Sequence, residues 1–189
     1  MRKFLLGFCL AASLGFFGFS VQECRCQEYS LSTNLADYAN LGTLNLEASY
    51  GVARKWSLVA ALKYNPFSFD NQGVPAANKQ RSLSAGVRYW PWHIYSGWWM
   101  SGAVRYQEYS VSGLSSEEST QGDRFGSSFG AGYSFMLTKY LNLELGAGFW
   151  AGYDMCMKYS CATCGRPIEN GRKFFVYPSN ILLGLSFVF

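Results

Sequence analysis

The C-terminal stretch, residues 174–189, constrains the fold of this chain more than any other segment. Its sequence, FFVYPSNILLGLSFVF, alternates between two kinds of side chain. Large apolar residues occupy every second position, namely Ile181, Leu183, Leu185, Phe187 and Phe189. The positions between them are smaller or mixed in character: Asn180, Leu182, Gly184, Ser186 and Val188. A period of two predicts a β-strand, because successive side chains of a strand point to opposite faces.

Composition favours a barrel whose outer surface is apolar. Aromatic residues make up 18% of the 189 residues and charged residues only 15%, whereas soluble domains are about 25% charged. Alternation between a lipid face and a lumen face explains how the mean hydropathy can be −0.01 in such a chain. No internal run approaches the roughly 18 apolar residues of a spanning helix. The net charge of +4, without a basic stripe, argues against nucleic-acid binding.

Eight strand-like segments predict an all-β fold, an eight-stranded antiparallel transmembrane barrel of the up-and-down type. They are residues 30–38, 43–52, 56–65, 81–90, 97–109, 124–135, 141–153 and 174–189. From the second strand onward, short turns alternate with long polar loops at 66–80, 110–123 and 154–173. Outer-membrane barrels have short periplasmic turns and longer external loops. We therefore expect an outer-membrane location in a Gram-negative bacterium, with three surface loops.

The N-terminal region predicts a secretory signal peptide at residues 1–26, followed by the barrel at residues 27–189. Arg2 and Lys3 precede an apolar run, as signal peptides require. Cleavage is expected after Ser20 or after Cys26. A membrane anchor helix and a lipidated Cys24 are less favoured alternatives.

Two further patterns support membrane insertion. Tyr and Trp residues concentrate near the predicted strand ends, as in the aromatic girdles at the two lipid–water boundaries. The chain ends at Phe189 on the apolar face, which resembles the assembly signal of bacterial outer-membrane proteins. The expected partners are therefore outer-membrane lipid and the barrel-assembly machinery.

Charged residues are predicted to point into the lumen. On the expected registers they are Glu47, Lys63, Arg88, Arg105 and Glu144. An eight-stranded barrel is just wide enough for side chains to fill, and buried charges must be paired. We therefore expect a filled lumen held by salt bridges. A narrow ion path is the alternative.

The loop at 154–173 contains the one motif with metal-ligand spacing. Cys161 and Cys164 form a C-x-x-C-G sequence that is typical of a zinc knuckle, and Cys156 lies nearby. A structural zinc site needs four ligands, and this loop contains no histidine. A disulfide or redox pair is favoured, because exported cysteines usually oxidise. Free thiols and a zinc site are the alternatives, and no other cofactor is expected.

No catalytic constellation is visible, so an enzyme is not the favoured class. The only histidine, His93, lies in a predicted periplasmic turn rather than beside a nucleophile. The loop at 110–123 is acidic and the loop at 154–173 is mainly basic. The basic loop could pair with the acidic loop or meet surface glycans and lipopolysaccharide.

Several short segments together resemble a family of Bacteroidetes outer-membrane barrels classed as a domain of unknown function. The segments are 33–35 (TNL), 54–58 (RKWSL), 86–90 (GVRYW), 139–144 (KYLNLE) and 158–166 (KYSCATCGR). The resemblance covers nearly all of the mature chain and implies an outer-membrane protein without an assigned activity. It also implies an accessory role beside surface fimbriae.

We therefore expect a structural or interaction protein that meets a surface protein or glycan through its loops. A small outer-membrane lipid-modifying enzyme and a narrow pore are the alternatives. A soluble barrel of the lipocalin type is disfavoured, because its interior would be apolar and its exterior polar.

Overall fold

The computed structural model describes residues 27–40, 42–71, 74–112, 119–159 and 167–189. The predicted signal peptide at residues 1–26, both cleavage positions, Cys161 and Cys164 lie outside the described residues. In the part of the chain that is described, no helix is both long and apolar enough to cross a membrane.

Nine strands and one short helix make up the described fold. Their bounds are β1 (Tyr29–Asn34), α1 (Leu35–Ala39), β2 (Leu44–Ala53), β3 (Trp56–Asn65), β4 (Ser68–Asn71), β5 (Val74–Tyr89), β6 (Gly97–Ser112), β7 (Ser119–Met136), β8 (Leu141–Tyr159) and β9 (Pro167–Val188).

Eight of these strands form a closed antiparallel barrel, which confirms the predicted strand number and arrangement. The order around the barrel is β3-β2-β1-β9-β8-β7-β6-β5, and pairing of β3 with β5 closes it. The C-terminal strand lies between β1 and β8, with Leu31 opposite Phe187 and Leu141 opposite the same residue. The extra strand, β4, pairs with β5 in a short hairpin.

The long polar segments are mainly extensions of the strands, which corrects the prediction of three long loops. The segment 66–80 contains β4 and the start of β5, and β6 continues to Ser112 before β7 begins at Ser119. Likewise β8 continues to Tyr159 and β9 begins at Pro167. These strand extensions are held together by backbone hydrogen bonds, which do not require apolar side chains. The alternation of apolar residues that predicted the barrel strands is therefore missing there.

The first strand also differs from the prediction, because it ends at Asn34 instead of continuing to residue 38. Helix α1 begins there, and the side chain of Asn34 caps it by accepting a hydrogen bond of 3.2 Å from the N–H of Ala36. The helix places Asp37 at the mouth of the barrel, close to β3.

Both described chain ends and the short turns lie at one end of the barrel. The N–H of Glu28 donates to the carbonyl of Phe189 at 3.1 Å, and the N–H of Gly51 donates to the carbonyl of Glu28 at 2.7 Å. The N–H of Trp90 donates to the carbonyl of Lys55 at 2.9 Å. We call this the turn end, and the opposite end, which has the extended hairpins, the hairpin end.

Candidate functional site

The centre of the lumen is occupied by an ion triad of Glu47, Arg88 and Glu144. Arg88 Nη2 lies 2.7 Å from Glu47 Oε1, and Arg88 Nη1 lies 3.0 Å from Glu144 Oε2. The three side chains come from β2, β5 and β8, so the triad ties together strands from different parts of the barrel wall. Arg88 and Glu144 are buried, and Glu47 is partly exposed.

Aromatic packing surrounds the triad on the side of the turn end. The guanidinium carbon of Arg88 lies 4.4 Å from the ring centre of Trp99 and 5.7 Å from that of Trp90. Such stacking is favourable for a desolvated cation. Gly146 makes room for the Trp99 ring, because a Cβ there would lie 2.7 Å from its Cζ2 atom.

Tyr95 closes the lumen at the turn end. Its ring meets Trp90 edge-on at 5.7 Å, and its hydroxyl donates to the carbonyl of Glu28 at 3.0 Å. Its own carbonyl accepts a hydrogen bond of 2.7 Å from the side chain of Asn142. Tyr95 has φ 63, a conformation that is unusual for a residue with a side chain. The turn thus holds a strained residue whose side chain and backbone both seal the barrel.

At the hairpin end, Asp37 of α1 pairs with Lys63 of β3. The distance from Lys63 Nζ to Asp37 Oδ2 is 2.7 Å, and both side chains are largely withdrawn from solvent. Lys63 therefore pairs with an acid that the predicted charge network did not include.

Arg105 has no such ion pair with a described residue. No carboxylate of a described residue lies within 4.0 Å of its guanidinium, although Asp37 and Glu47 attract it at longer range. Its guanidinium carbon lies 5.3 Å from the ring centre of Trp150. Of the five predicted lumen charges, the structure thus joins three in one triad, pairs Lys63 with Asp37 and leaves Arg105 apart.

Two cavities lie along the lumen. The inner cavity, of about 120 Å³, is lined by the ion triad and Trp99. The outer cavity, of about 170 Å³, lies toward the hairpin end and includes Gln80, Gln107 and Trp150 in its wall. Asp37, Lys63 and Arg105 line both cavities and therefore separate them.

A second polar cluster joins the extended hairpins above the barrel. Tyr109 Oη donates to Asp154 Oδ1 at 2.8 Å, and Arg124 Nε lies 3.0 Å from Asp154 Oδ2. The Arg124 guanidinium also lies 3.8 Å from the ring centre of Tyr109. Burial raises the pKa of the Tyr109 phenol above its usual value, and its hydrogen bond to Asp154 raises the pKa further. The cluster links β6, β7 and β8.

The predicted metal residues are only partly described. Cys156 is buried and free, and its sulfur lies 3.8 Å from the carbonyl oxygen of Gly171. No group of three or more potential metal ligands occurs among the described residues, and neither Cys161 nor Cys164 belongs to them. The choice between a disulfide or redox pair, free thiols and a metal at Cys161 and Cys164 thus stays open. His93 lies exposed in the turn before β6, at the turn end.

Sequence reasoning missed Asp37, Arg124 and Asp154 as members of buried ion pairs. Asp37 was expected in a strand, and Asp154 at the start of a loop. The inward position of Asp154 could have been found only by extending its strand through a polar segment, where apolar alternation gives no signal. Asp37 lies on a short helix within a segment that the sequence predicts as strand, so no strand register could have placed it.

Comparison with known proteins gives a family and nothing more specific. No curated protein and no solved structure matches the chain. Residues 11–189 match a family described as "Protein of unknown function (DUF3575)". That match spans the whole barrel together with its triad and both cavities. The chain therefore belongs to the DUF3575 family of proteins of unknown function.

Proposed function

We propose that this chain is an outer-membrane barrel of structural or interaction type, which presents extended hairpins at the bacterial surface. The observation that supports membrane insertion is the distribution of side chains across the barrel wall. Large apolar residues are exposed on the outside, as at Leu62, Leu83, Phe125 and Phe129, while the lumen contains the ion triad. Contiguous exposed apolar surface of this kind marks a membrane or interaction site.

The height of the apolar belt fits a bilayer. Along β6, the outward residues from Trp98 to Tyr106 are apolar or aromatic, and Glu108 follows them. A rise of about 3.3 Å per residue at a tilt of about 40° makes this span about 20 Å, close to the roughly 25 Å expected of such barrels. Charged residues border the belt at the hairpin end: Arg81 pairs with Glu108, and Glu108 lies opposite Asp123.

Aromatic contacts border the belt at the turn end. Trp56 packs on Tyr89 at 4.9 Å, and Trp98 meets Tyr133 at 5.3 Å between ring centres. Tyr29 stacks on the C-terminal Phe189 at 6.0 Å. Aromatic girdles of this kind anchor barrels at the lipid–water boundary.

Membrane insertion is tested with a matched pair of charged substitutions. Phe129→Arg places a cation in the middle of the belt, whereas Met155→Arg places one in the row that contains Arg172. A cation at the bilayer midplane costs about 2–4 kcal/mol, against about 0–1 near the interface. We expect only the first variant to lose stability in lipid vesicles.

Fractionation of the cells gives an independent measurement. We expect the wild-type chain to remain in the outer-membrane fraction after a high-salt wash. Recovery of the mature chain in the soluble periplasmic fraction would overturn the proposal, and so would equal stability of the two arginine variants in vesicles.

The interaction role rests on the hairpins beyond the belt. The Tyr109–Asp154–Arg124 cluster holds three neighbouring strands together there, so the hairpins offer an ordered surface to a partner protein or glycan. The accessory role beside fimbriae is tested by deleting the gene and counting surface fimbriae by electron microscopy. We expect fewer or shorter fimbriae, restored by the intact gene. Unchanged fimbriae would exclude this accessory role.

A narrow pore is the second candidate, because two cavities lie in series along the lumen. The Arg88 triad occupies the middle of the lumen and Tyr95 closes its turn end, and both argue against a continuous open path. Planar-bilayer recordings decide between a sealed barrel and a pore.

A further inference from the structure

Arg105 stands out among the inward-facing bases of the described barrel. Lys63, Arg88 and Arg124 each lie within 3.0 Å of a carboxylate oxygen. Arg105 has no carboxylate within 4.0 Å among the described residues. A charge withdrawn from water is costly unless it is paired and hydrogen-bonded. Within the described part of the chain, this guanidinium therefore has no carboxylate partner of the kind that the other three bases have.

The outer cavity offers space for that partner. Arg105 lines it together with Lys63, and Asp37 is the only acid in its described wall. The cavity is therefore bordered by two bases and one acid, whereas the inner cavity has as many acids as bases in its wall. Because Asp37 and Lys63 pair with each other at 2.7 Å, Arg105 is the base of this wall that has no ion pair with a described residue, and Asp37 and Glu47 attract it only at longer range.

Trp150 gives a second and independent observation. Its side chain lines the outer cavity, is 6% exposed and packs against the Arg105 guanidinium. Its indole Nε1–H has no acceptor among the described residues. A buried donor without an acceptor is costly. A bound anion would provide acceptor oxygens beside both Arg105 and Trp150.

We propose that the outer cavity binds a small solute with an oxyanion group, a carboxylate or a phosphate, on the guanidinium of Arg105. A planar guanidinium matches the paired oxygens of both groups. The volume of about 170 Å³ is similar to that of a cavity that holds benzene, which limits the solute to a few heavy atoms. The amides of Gln80 and Gln107, which also line the cavity, add polar groups around the solute.

Direct binding to the detergent-folded, full mature chain tests this proposal. Acetate, acetamide and inorganic phosphate are titrated separately at constant ionic strength, with tryptophan fluorescence and calorimetry as readouts. Acetate and acetamide have nearly the same shape and differ in charge. We expect saturable binding of acetate, phosphate or both, and none of acetamide. Whichever of acetate and phosphate binds more tightly identifies the oxyanion group, carboxylate or phosphate, that the cavity prefers.

Three variants assign the site. Arg105→Gln removes the charge and is expected to weaken anion binding by about ten- to hundred-fold. Arg105→Lys keeps the positive charge but replaces the planar guanidinium by an ammonium group, which cannot bind two oxygens side by side. Its affinity for the anion should lie between those of the wild type and Arg105→Gln. Arg81→Gln is the matched control, because Arg81 is exposed on the outside of the barrel, where it pairs with Glu108. It should bind as the wild type does.

Either of two results would overturn the proposal. One is a wild-type chain that binds neither anion in the millimolar range, or that responds equally to acetate and acetamide. The other is unchanged affinity in Arg105→Gln. If Arg105→Gln does not fold, two measurements still test the proposal. They are the comparison of acetate with acetamide on the wild type and the anion affinity of Arg105→Lys.

Discussion

Nη1 of Arg88 on β5 lies 3.0 Å from Oε2 of Glu144 on β8, and both side chains are almost completely buried. Two residues that are 56 positions apart in the chain thus join strands that are not neighbours in the sheet. Glu47 adds a second carboxylate on the other guanidinium nitrogen. The lumen is therefore held by pairing that only a closed barrel provides.

Arg88→Met should destabilise the barrel strongly, because it leaves Glu144 as an unpaired buried charge. We expect a loss of about 3–5 kcal/mol in the free energy of unfolding. The double variant Arg88→Met, Glu144→Gln should regain part of this loss, since the more deeply buried of the two unpaired carboxylates is then neutral while Glu47 stays charged. Urea unfolding of the folded barrel in detergent measures both. A single variant within 1 kcal/mol of wild type would contradict a structural role for the triad.

Tyr95→Phe tests the closure at the turn end. The variant removes the hydroxyl that donates to the carbonyl of Glu28 and keeps the ring against Trp90. We expect a loss of about 1–2 kcal/mol in unfolding free energy, as for a lost buried hydrogen bond. Tyr95→Ala also leaves a cavity and should cost about 3–5 kcal/mol. Equal losses in the two variants would show that the ring contributes nothing.

The wild-type chain should show no large, stable conductance in planar bilayers. The Arg88 triad blocks the middle of the lumen, and Tyr95 with Trp90 blocks the turn end. Single-channel recording at several voltages measures this, with detergent alone as the control. Reproducible open steps from the purified barrel would favour the narrow pore over the sealed barrel.

Alkaline pH should weaken the hairpin cluster through Tyr109. Its pKa is raised in the folded state, so the folded chain holds this proton more tightly than the unfolded chain does. The stabilising effect is present below the unfolded pKa of about 10 and is lost as the pH rises above it. We expect a fall in unfolding free energy above about pH 10 that is smaller in Tyr109→Phe. Parallel pH profiles of the two proteins would contradict this assignment.

Thiol counting tests the cysteine hairpin. Cys156 is buried, so it should react with a thiol reagent only after unfolding. If Cys161 and Cys164 form the disulfide that we favour, the unfolded mature chain should show two fewer free thiols than after reduction. One zinc per one or two chains, with thiols masked until chelation, would instead establish the metal alternative.

The sequence by itself determined the barrel. A period of two along the apolar positions, ending at Phe189, specifies which side chains face outward, and eight such segments suffice to close an antiparallel wall. The same alternation placed Glu47, Arg88 and Glu144 on the inner face. These features depend on local geometry, in which each side chain alternates with its neighbour.

The tertiary structure alone decided which charges meet. Arg88 pairs with two acids across the lumen, and Lys63 pairs with Asp37 on a helix that the apolar pattern does not predict. Arg105 has no carboxylate of a described residue within 4.0 Å. The extension of the strands into long hairpins could likewise not be predicted from the sequence, because polar strands pair through backbone hydrogen bonds that do not depend on their side chains. Pairing across a closed barrel depends on curvature and on distances between distant strands, and neither is encoded in the spacing of residues along one strand.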